Sequence, residues 1–444
     1  MMLRELVVEG LFGELTHKIT FKTPDGLTIL HGPNGIGKTM TLSALDNLFN
    51  KRFRAVRNMP INSLHVEFEN GDRLQVSRVN TDERKGTTLE FILSPQSGRS
   101  HTWTYKPSAE GDLPISIIDA YIPALSRIGQ RTWMVDATRE VLEIDDVLDR
   151  YESQLPANLV SPQKGMPAWL DEVLSSVLVY FIKADRLSTY GRSSIDRRLG
   201  REPGQTPTVN IYAGELQQQV QKTVASYGDS SQTLDSTFPV RLLTPSPAVK
   251  VPTDQDIRDH YAGQAERRNR YVKTGLLDVG NQVQLLQLPE TPLTDTVELR
   301  ALDLYLRDID LKLDTLDDLA GKLELFLAII NGKFRRKQIR VDRENGLTAR
   351  TASSQPLPLS SLSSGEQQEI VMAYSLLFRE QPGTLILLDE PELSLHVTWQ
   401  LDLIPDMLRV AEVAKIEFLI ATHSPQIIND RWDLTIQLSD DEAE

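Results

Sequence analysis

The chain has 444 residues, 40% of them hydrophobic, enough for two or three packed domains or for one domain carrying a large insertion. It contains no cysteine, which excludes disulfides, thiolate metal sites and cysteine nucleophiles and fits a cytoplasmic protein. The net charge of −14 argues against duplex DNA as the principal partner, because a DNA-binding surface must offset phosphate charge.

No apolar run approaches the ~20 residues that span a bilayer, so no membrane partner is expected. Arg4 and Glu5 place charge too early for a secretory signal. Residues 3 to 50 read as strand, strand, phosphate loop and helix. The loop, Gly32-Pro33-Asn34-Gly35-Ile36-Gly37-Lys38-Thr39, satisfies G-x-x-x-x-G-K-[ST]. Such glycines let backbone N–H groups turn toward phosphate, and the following helix adds its positive end. Gly32, Asn34, Gly35, Gly37, Lys38 and Thr39 are therefore the expected ATP-binding residues. Lys38 would neutralise the β and γ phosphates, and the Thr39 hydroxyl would ligate Mg²⁺.

The stretch HVEFENGDRLQVSRV, residues 65 to 79, alternates around Asn70-Gly71 and predicts a hairpin. Thr88 to Leu93 predicts a further strand. From about Val135 to Ile330 the pattern is mostly helical, broken by loops over 191–208 and 238–254, where the prolines of the second argue against a continuous helix. Leu299, Leu302, Leu306, Ile309, Leu313, Leu316, Ala320, Leu323, Leu327 and Ile330 recur in steps of three and four. That heptad seam predicts a helix of about 32 residues, either a buried core helix or a coiled-coil arm or oligomer contact. Lys333 to Arg340 carries five basic residues in eight, a solvated element end or a local patch for DNA.

Sheet-like patterning resumes at Ile339. Residues 359 to 369, LSSLSSGEQQE, combine the features of a capped helix start with those of a second anion site built on Ser363 and the Gly365 N–H. Thr384 to Leu388 is an apolar strand ending in Asp389 and Glu390. Asp389 suits a partner of Mg²⁺, and Glu390 a general base for the attacking water. A later strand ends in Ala421-Thr422-His423-Ser424, where His423 could meet the γ-phosphate or the water. Ligands of open parallel sheets collect at the carboxyl ends of the strands, so both polar clusters belong beside the phosphate loop.

The succession of phosphate loop, Leu362-Ser363-Ser364-Gly365-Glu366, Asp389-Glu390 and Thr422-His423-Ser424 resembles an ABC-type ATPase head. The resemblance implies an α/β fold, with the head assembled from both chain ends around a mainly helical insertion. Its expected parts are an N-terminal lobe over 1–134, an insertion over 135–338 holding arm, oligomer and partner contacts, and a C-terminal lobe over 339–444. It also implies a homodimer or a multiple of dimers, in which the signature of one head completes the phosphate site of the next.

More than three hundred residues separate Thr39 from Leu362, unlike transporter motors. Together with DEPELSLH and ATHSP, this is similar to the RecF, SMC and OLD-like branch. His396 stands in the neighbourhood where transporters carry an aspartate. Gln75, Gln96 and Gln130 compete for the family's glutamine loop. Within the branch, the first fifty and last hundred residues resemble stand-alone anti-phage ATPases, PARIS AriA first and Septu PtuA next. That likeness implies a sensor and scaffold that controls a separately encoded effector, a Toprim-type or other nuclease, under a phage-derived trigger protein. About twenty residues follow His423, so no Toprim domain is expected within the chain itself. A RecF-like DNA-maintenance ATPase is the alternative.

Overall fold

The computed structural model describes residues 1–22, 25–80, 87–105, 118–119, 121–122, 124–129, 132–135, 141–143, 147, 151, 166–182, 207–244, 251–277, 288–289, 291–393 and 397–439. The chain divides into two compact units, residues 1–187 with 381–444, and residues 188–380.

The first unit begins with strands β1 (Leu3–Leu11), β2 (Leu15–Thr20) and β3 (Leu27–His31). Helices α1 (Lys38–Phe49) and α2 (Phe53–Asn58) follow. Strands β4 (Ser63–Phe68), β5 (Arg73–Asn80), β6 (Thr87–Ser94) and β7 (His101–Tyr105) complete an antiparallel sheet of order β2-β1-β4-β5-β6-β7. The expected hairpin is β4–β5: Glu67 faces Arg73, and the Gly71 N–H donates to the Phe68 carbonyl at 2.9 Å. Gly71 has φ 84°, a conformation that glycine adopts without steric cost. The strand expected over Thr88 to Leu93 is β6. Its Phe91 and the β7 residues Trp103 and Tyr105 surround Phe53 of α2, the aromatic part of one continuous core.

Next come β8 (Leu125–Arg127), β9 (Thr132–Val135) and β10 (Val141–Glu143), a small antiparallel sheet around the fully buried Trp133. Helix α3 (Ala168–Ser175) leads into β11 (Leu178–Ile182). Strands β10 and β11 correct the helical expectation for this region. Leu178-Val179-Tyr180-Phe181-Ile182 is long enough for a strand and too short for a helix to bury. It pairs in parallel with a strand from the C-terminal part of the chain, described below.

The second unit is led by α4 (Thr208–Leu243), α5 (Asp254–Lys273) and α6 (Thr296–Lys333). Helix α4 runs through Pro239, where a loop is expected; the proline removes one hydrogen bond only four residues from the helix end. Past that point Arg241 grips Asp308 of α6 through two bonds of 2.5 and 2.6 Å and donates to the Leu234 carbonyl at 2.9 Å, so the last turn is tied down. The loop expected over 191–208 lies outside the described residues except for 207 and 208, as does 245–250 of the second loop.

Helix α6 has 38 residues and is about 57 Å long. All ten seam positions are buried or partly buried, and the helix packs along α4 and α5 of the same chain. On this evidence the seam serves an intramolecular core. Helix α5 is polar, with only Ile257, Gln264 and Tyr271 buried, seven residues apart. Ionic and hydrogen bonds hold it to α6: Arg270 to Glu324 at 2.8 and 2.9 Å, and Tyr271 to Asp317 at 2.6 Å. Strands β12 (Lys337–Asp342), β13 (Gly346–Thr351) and β14 (Pro356–Leu357) form an antiparallel sheet, followed by α7 (Ser364–Tyr374).

The chain then returns to the first unit with β15 (Thr384–Asp389), α8 (Leu403–Ala414), β16 (Glu417–Thr422) and β17 (Thr435–Gln437). The resulting parallel sheet has the order β11-β15-β16-β3-β17. All six residues of β15 are buried, the near-continuous apolar run of a strand covered on both faces. The expected α/β class, with a parallel sheet assembled from both chain ends around a helical insertion, is the observed one. Among the described residues no helix is long and apolar enough to cross a membrane.

Candidate functional site

Strands β3, β15 and β16 run in parallel and end level with one another: Thr422 is opposite His31, and Asp389 is opposite Ala421. The phosphate loop leaves β3 at this edge, Glu390 leaves β15 and His423 leaves β16. Residues from the two ends of the chain thus meet because their strands are neighbours.

The loop is tightly built. Gly37 has φ 98°, and a Cβ there would collide with Leu11 and crowd Phe12, so glycine is required on steric grounds as well as conformational ones. Buried His17 of β2 holds the loop from beneath, its Nε2 lying 2.6 Å from the Ile36 carbonyl. A carbonyl only accepts, so Nε2 carries the proton and donates.

Lys38 is 4% exposed and donates to the carbonyls of Gly32 at 2.8 Å and Pro33 at 3.0 Å. Burial pushes its pKa down, while Glu390, Asp389 and Glu392 pull it the other way. Its ammonium also lies 3.1 Å from Nδ1 of His423. An ammonium cannot accept a hydrogen bond, so Nδ1 accepts and the imidazole proton sits on Nε2. That Nε2 lies 3.3 Å from Glu390 Oε1. His423 therefore bridges the loop lysine and the expected base. Burial and the nearby Lys38 charge lower the pKa of His31, the last residue of β3.

The Thr39 hydroxyl donates to Asp389 Oδ1 at 3.0 Å. Glu390 adopts φ 46°, a conformation that costs a non-glycine residue about 1–2 kcal/mol. Two hydrogen bonds hold it there: the Glu390 N–H to the Ala421 carbonyl at 2.8 Å, and the Leu393 N–H to the Glu390 carbonyl at 3.1 Å.

These residues fit a phosphate chain with a divalent cation. Among the described residues, the backbone N–H groups of Gly35, Gly37, Lys38 and Thr39 donate to no protein acceptor. The last two belong to the first turn of α1, where N–H groups lack intrahelical partners and the helix dipole is positive. Thr39 and Asp389 supply the hard oxygen donors that Mg²⁺ takes.

Ser363 and Gly365 lie in the second unit, at the start of α7. There Ser363 and Glu366 form a reciprocal capping box, with the Ser363 N–H donating to Glu366 Oε2 at 2.8 Å and its hydroxyl at 2.9 Å. Burial works to raise the Glu366 pKa, but hydrogen bonds from Lys337 and Ser363 outweigh it and leave it low. Lys337 reaches Glu366 at 2.7 Å, and Lys333 reaches Glu369 at 2.9 Å in an almost fully buried pair. Two of the five basic residues between Lys333 and Arg340 thus brace α7. Arg335, Arg336 and Arg340 remain exposed.

His396 and Gln130 lie outside the described residues. Gln75 donates to Ser77 on its own strand, and Gln96 packs over Gly71. Sequence reasoning missed His17, Lys337 and Glu392. Only Lys337 had a signal, its place in the basic run.

The family model described as "AAA domain, putative AbiEii toxin, Type IV TA system" matches residues 317–429, which include Ser363, Asp389, Glu390 and His423 but not the phosphate loop. No curated protein matches the chain. Among solved structures, it is similar to the Smc head domain with an extended coiled coil bound to the C-terminal domain of ScpA, derived from Pyrococcus furiosus. That match has 12% identity and a TM-score of 0.34, covering 96% of this chain and 91% of that one. The SMC head domain from Thermotoga maritima is similar at 13% identity and a TM-score of 0.32, covering 96% and 91%. Likeness at this level says nothing about what the present chain binds or acts on.

Proposed function

We propose that this chain is a Mg²⁺-dependent ATPase of ABC type, which uses ATP binding and hydrolysis to control a separately encoded effector, a nuclease, in bacterial anti-phage defence. The observation that carries the ATPase reading is the constellation of Lys38, Thr39, Asp389, Glu390 and His423 at one edge of the parallel sheet. Thr39 and Asp389 would hold a Mg²⁺ ion, which would supply positive charge against the phosphate oxygens. Lys38 leaves the loop carbonyls for phosphate. Glu390 takes the proton of the attacking water, and the Nε2–H of His423 orients its carboxylate.

Control of an effector rests on the sequence resemblance to stand-alone defence ATPases, and the head-to-tail dimer, in which Ser363 and the Gly365 N–H face the partner's ATP, rests on the resemblance to ABC-type heads. The exposed Arg335, Arg336 and Arg340 favour a second reading, a RecF-like ATPase on DNA. The use of Lys333 and Lys337 inside the fold reduces that patch and tips the balance to a protein partner.

The deciding experiment is expression with the native neighbouring genes, recovery of the chain and weighing of the complex. An assembly of several chains carrying a nuclease supports the scaffold. A partner-free dimer recovered only with nucleic acid overturns it in favour of the DNA reading.

A further inference from the structure

The turn that follows Glu390 contains a third carboxylate, Glu392. Its Oε1 accepts two hydrogen bonds from the end of β16, from the Thr422 hydroxyl at 2.8 Å and from the His423 N–H at 2.9 Å. Thr422 is fully buried, and its hydroxyl oxygen accepts the Ser424 N–H at 3.0 Å. The Glu392 backbone is fixed as well, because Gln400 donates to its carbonyl at 3.0 Å. One oxygen thus organises three consecutive residues, the middle one being His423.

The other oxygen behaves differently. Oε2 is buried, with no hydrogen-bond partner among the described residues. Burying half of a carboxylate unpaired is unfavourable, so the two bonds at Oε1 are made at a cost. What the tie fixes is the backbone from which the imidazole extends, and that ring must meet Lys38 with one nitrogen and Glu390 with the other.

We infer that Glu392 is a positioning residue for the hydrolysis proposed above, on which this inference rests, and that it acts through His423. Its two-donor acceptor at Oε1 anchors the His423 N–H, and the anchored backbone aims the ring between lysine and base. Glu392 itself is not assigned as the base, since Oε1 is taken by two donors and Oε2 is buried. The phosphate loop holds the nucleotide without it, so its loss acts on turnover rather than on binding.

The test compares Glu392→Gln, which keeps an acceptor at Oε1, with Glu392→Ala, which removes it, using the full chain with Mg²⁺ and ATP. The Gln variant should keep kcat and KM within about threefold of wild type. The Ala variant should lose at least tenfold in kcat with KM within about threefold. An Ala variant with wild-type kcat overturns the inference. So does a Gln variant as slow as Ala, which would mean that charge matters rather than acceptance. If Ala fails to fold, Thr422→Val removes one donor, and kcat should fall threefold or more at unchanged KM; a wild-type kcat there also overturns it.

The ring nitrogens give a readout that does not depend on turnover. With histidines labelled by ¹⁵N, and the His423 signals assigned by their loss in His423→Gln, Glu392→Ala should shift both ring signals in nucleotide-free protein. Unshifted signals sink the positioning role. If instead Glu390→Gln hydrolyses ATP at the wild-type rate, it is the hydrolysis reading that fails, whatever Glu392 does to the ring.

Discussion

The Thr39 hydroxyl donates to Asp389 Oδ1 at 3.0 Å, joining the first turn of α1 to the end of β15 across 350 positions of sequence. Both groups are oxygen donors of the kind a divalent cation prefers. Asp389→Asn should therefore raise the Mg²⁺ concentration for half-maximal ATPase activity at least tenfold. A magnesium titration at saturating ATP reads this directly, and an unchanged midpoint would remove Asp389 from the metal site.

Lys38 and Glu390 should separate binding from turnover. Lys38→Ala removes the cation from a loop that otherwise offers only N–H groups, and binding of a fluorescent ATP analogue should fall at least a hundredfold. Glu390→Gln keeps size and the His423 contact while removing the base. It should bind the analogue within about threefold of wild type, with kcat reduced a hundredfold or more.

Composite sites would appear in mixtures. Ser363→Arg and Lys38→Ala should each be inactive alone. If Ser363 serves the neighbouring head, mixed assemblies contain some sites with both residues intact, and part of the activity returns. Independent sites give no recovery at any ratio. Ser363 is engaged with Glu366 in the structure, so the return should be weaker in Lys337→Ala backgrounds, where the cap is loosened.

Glu417, the first residue of β16, is a pH-sensitive group of the parallel sheet. Burial and the neighbouring Glu69 charge raise its pKa from 4.5 to about 7, opposed by the N-terminal ammonium. Its Oε1 is buried without a hydrogen-bond partner among the described residues. A carboxyl raised in the folded state binds more protons folded than unfolded, so stability falls as pH rises from 4.5 through about 7. Glu417→Gln should match wild type near pH 4.5 and be more stable at pH 8 by up to about 3 kcal/mol. Urea melts at the two pH values decide it, and a pH-independent difference would refute the assignment.

Leu316, fully buried in the α6 seam, tests whether that seam belongs to one chain. Leu316→Ala should lower stability by about 3 kcal/mol, the cost of a core cavity. The melting temperature should not vary with protein concentration. A concentration-dependent loss would assign the seam to contacts between copies.

Legibility in the sequence followed the reach of the forces involved. The phosphate loop, the Asn70-Gly71 hairpin and the α6 seam are local patterns, and each is present where its residues place it. The meeting of Lys38 with His423 was readable only in outline, from the rule that polar strand ends gather at one edge. Strand β11 was illegible because its five apolar residues carry no period of their own; their partner, β15, decides their state. Pro239 misled because it stands only four residues from the helix end, and the Arg241–Asp308 pair beyond it holds the last turn. Glu392 carried no signal of its own, since nothing in DEPELSLH reveals that Thr422 and His423 will both point hydrogens at it.

The sheet order has one more consequence, in time rather than space. Strand β3 has two neighbours, β16 and β17, and both come from the last thirty residues. During synthesis at about 5–20 residues per second, some 390 residues separate β3 from β16, an interval of roughly 20–80 s. The antiparallel sheet, complete by Tyr105, can form early on the ribosome, with His17 of β2 beneath the phosphate loop, while both parallel neighbours of β3 are still to be made. The nascent chain should thus pass through a long interval in which the phosphate loop lacks Asp389, Glu390 and His423.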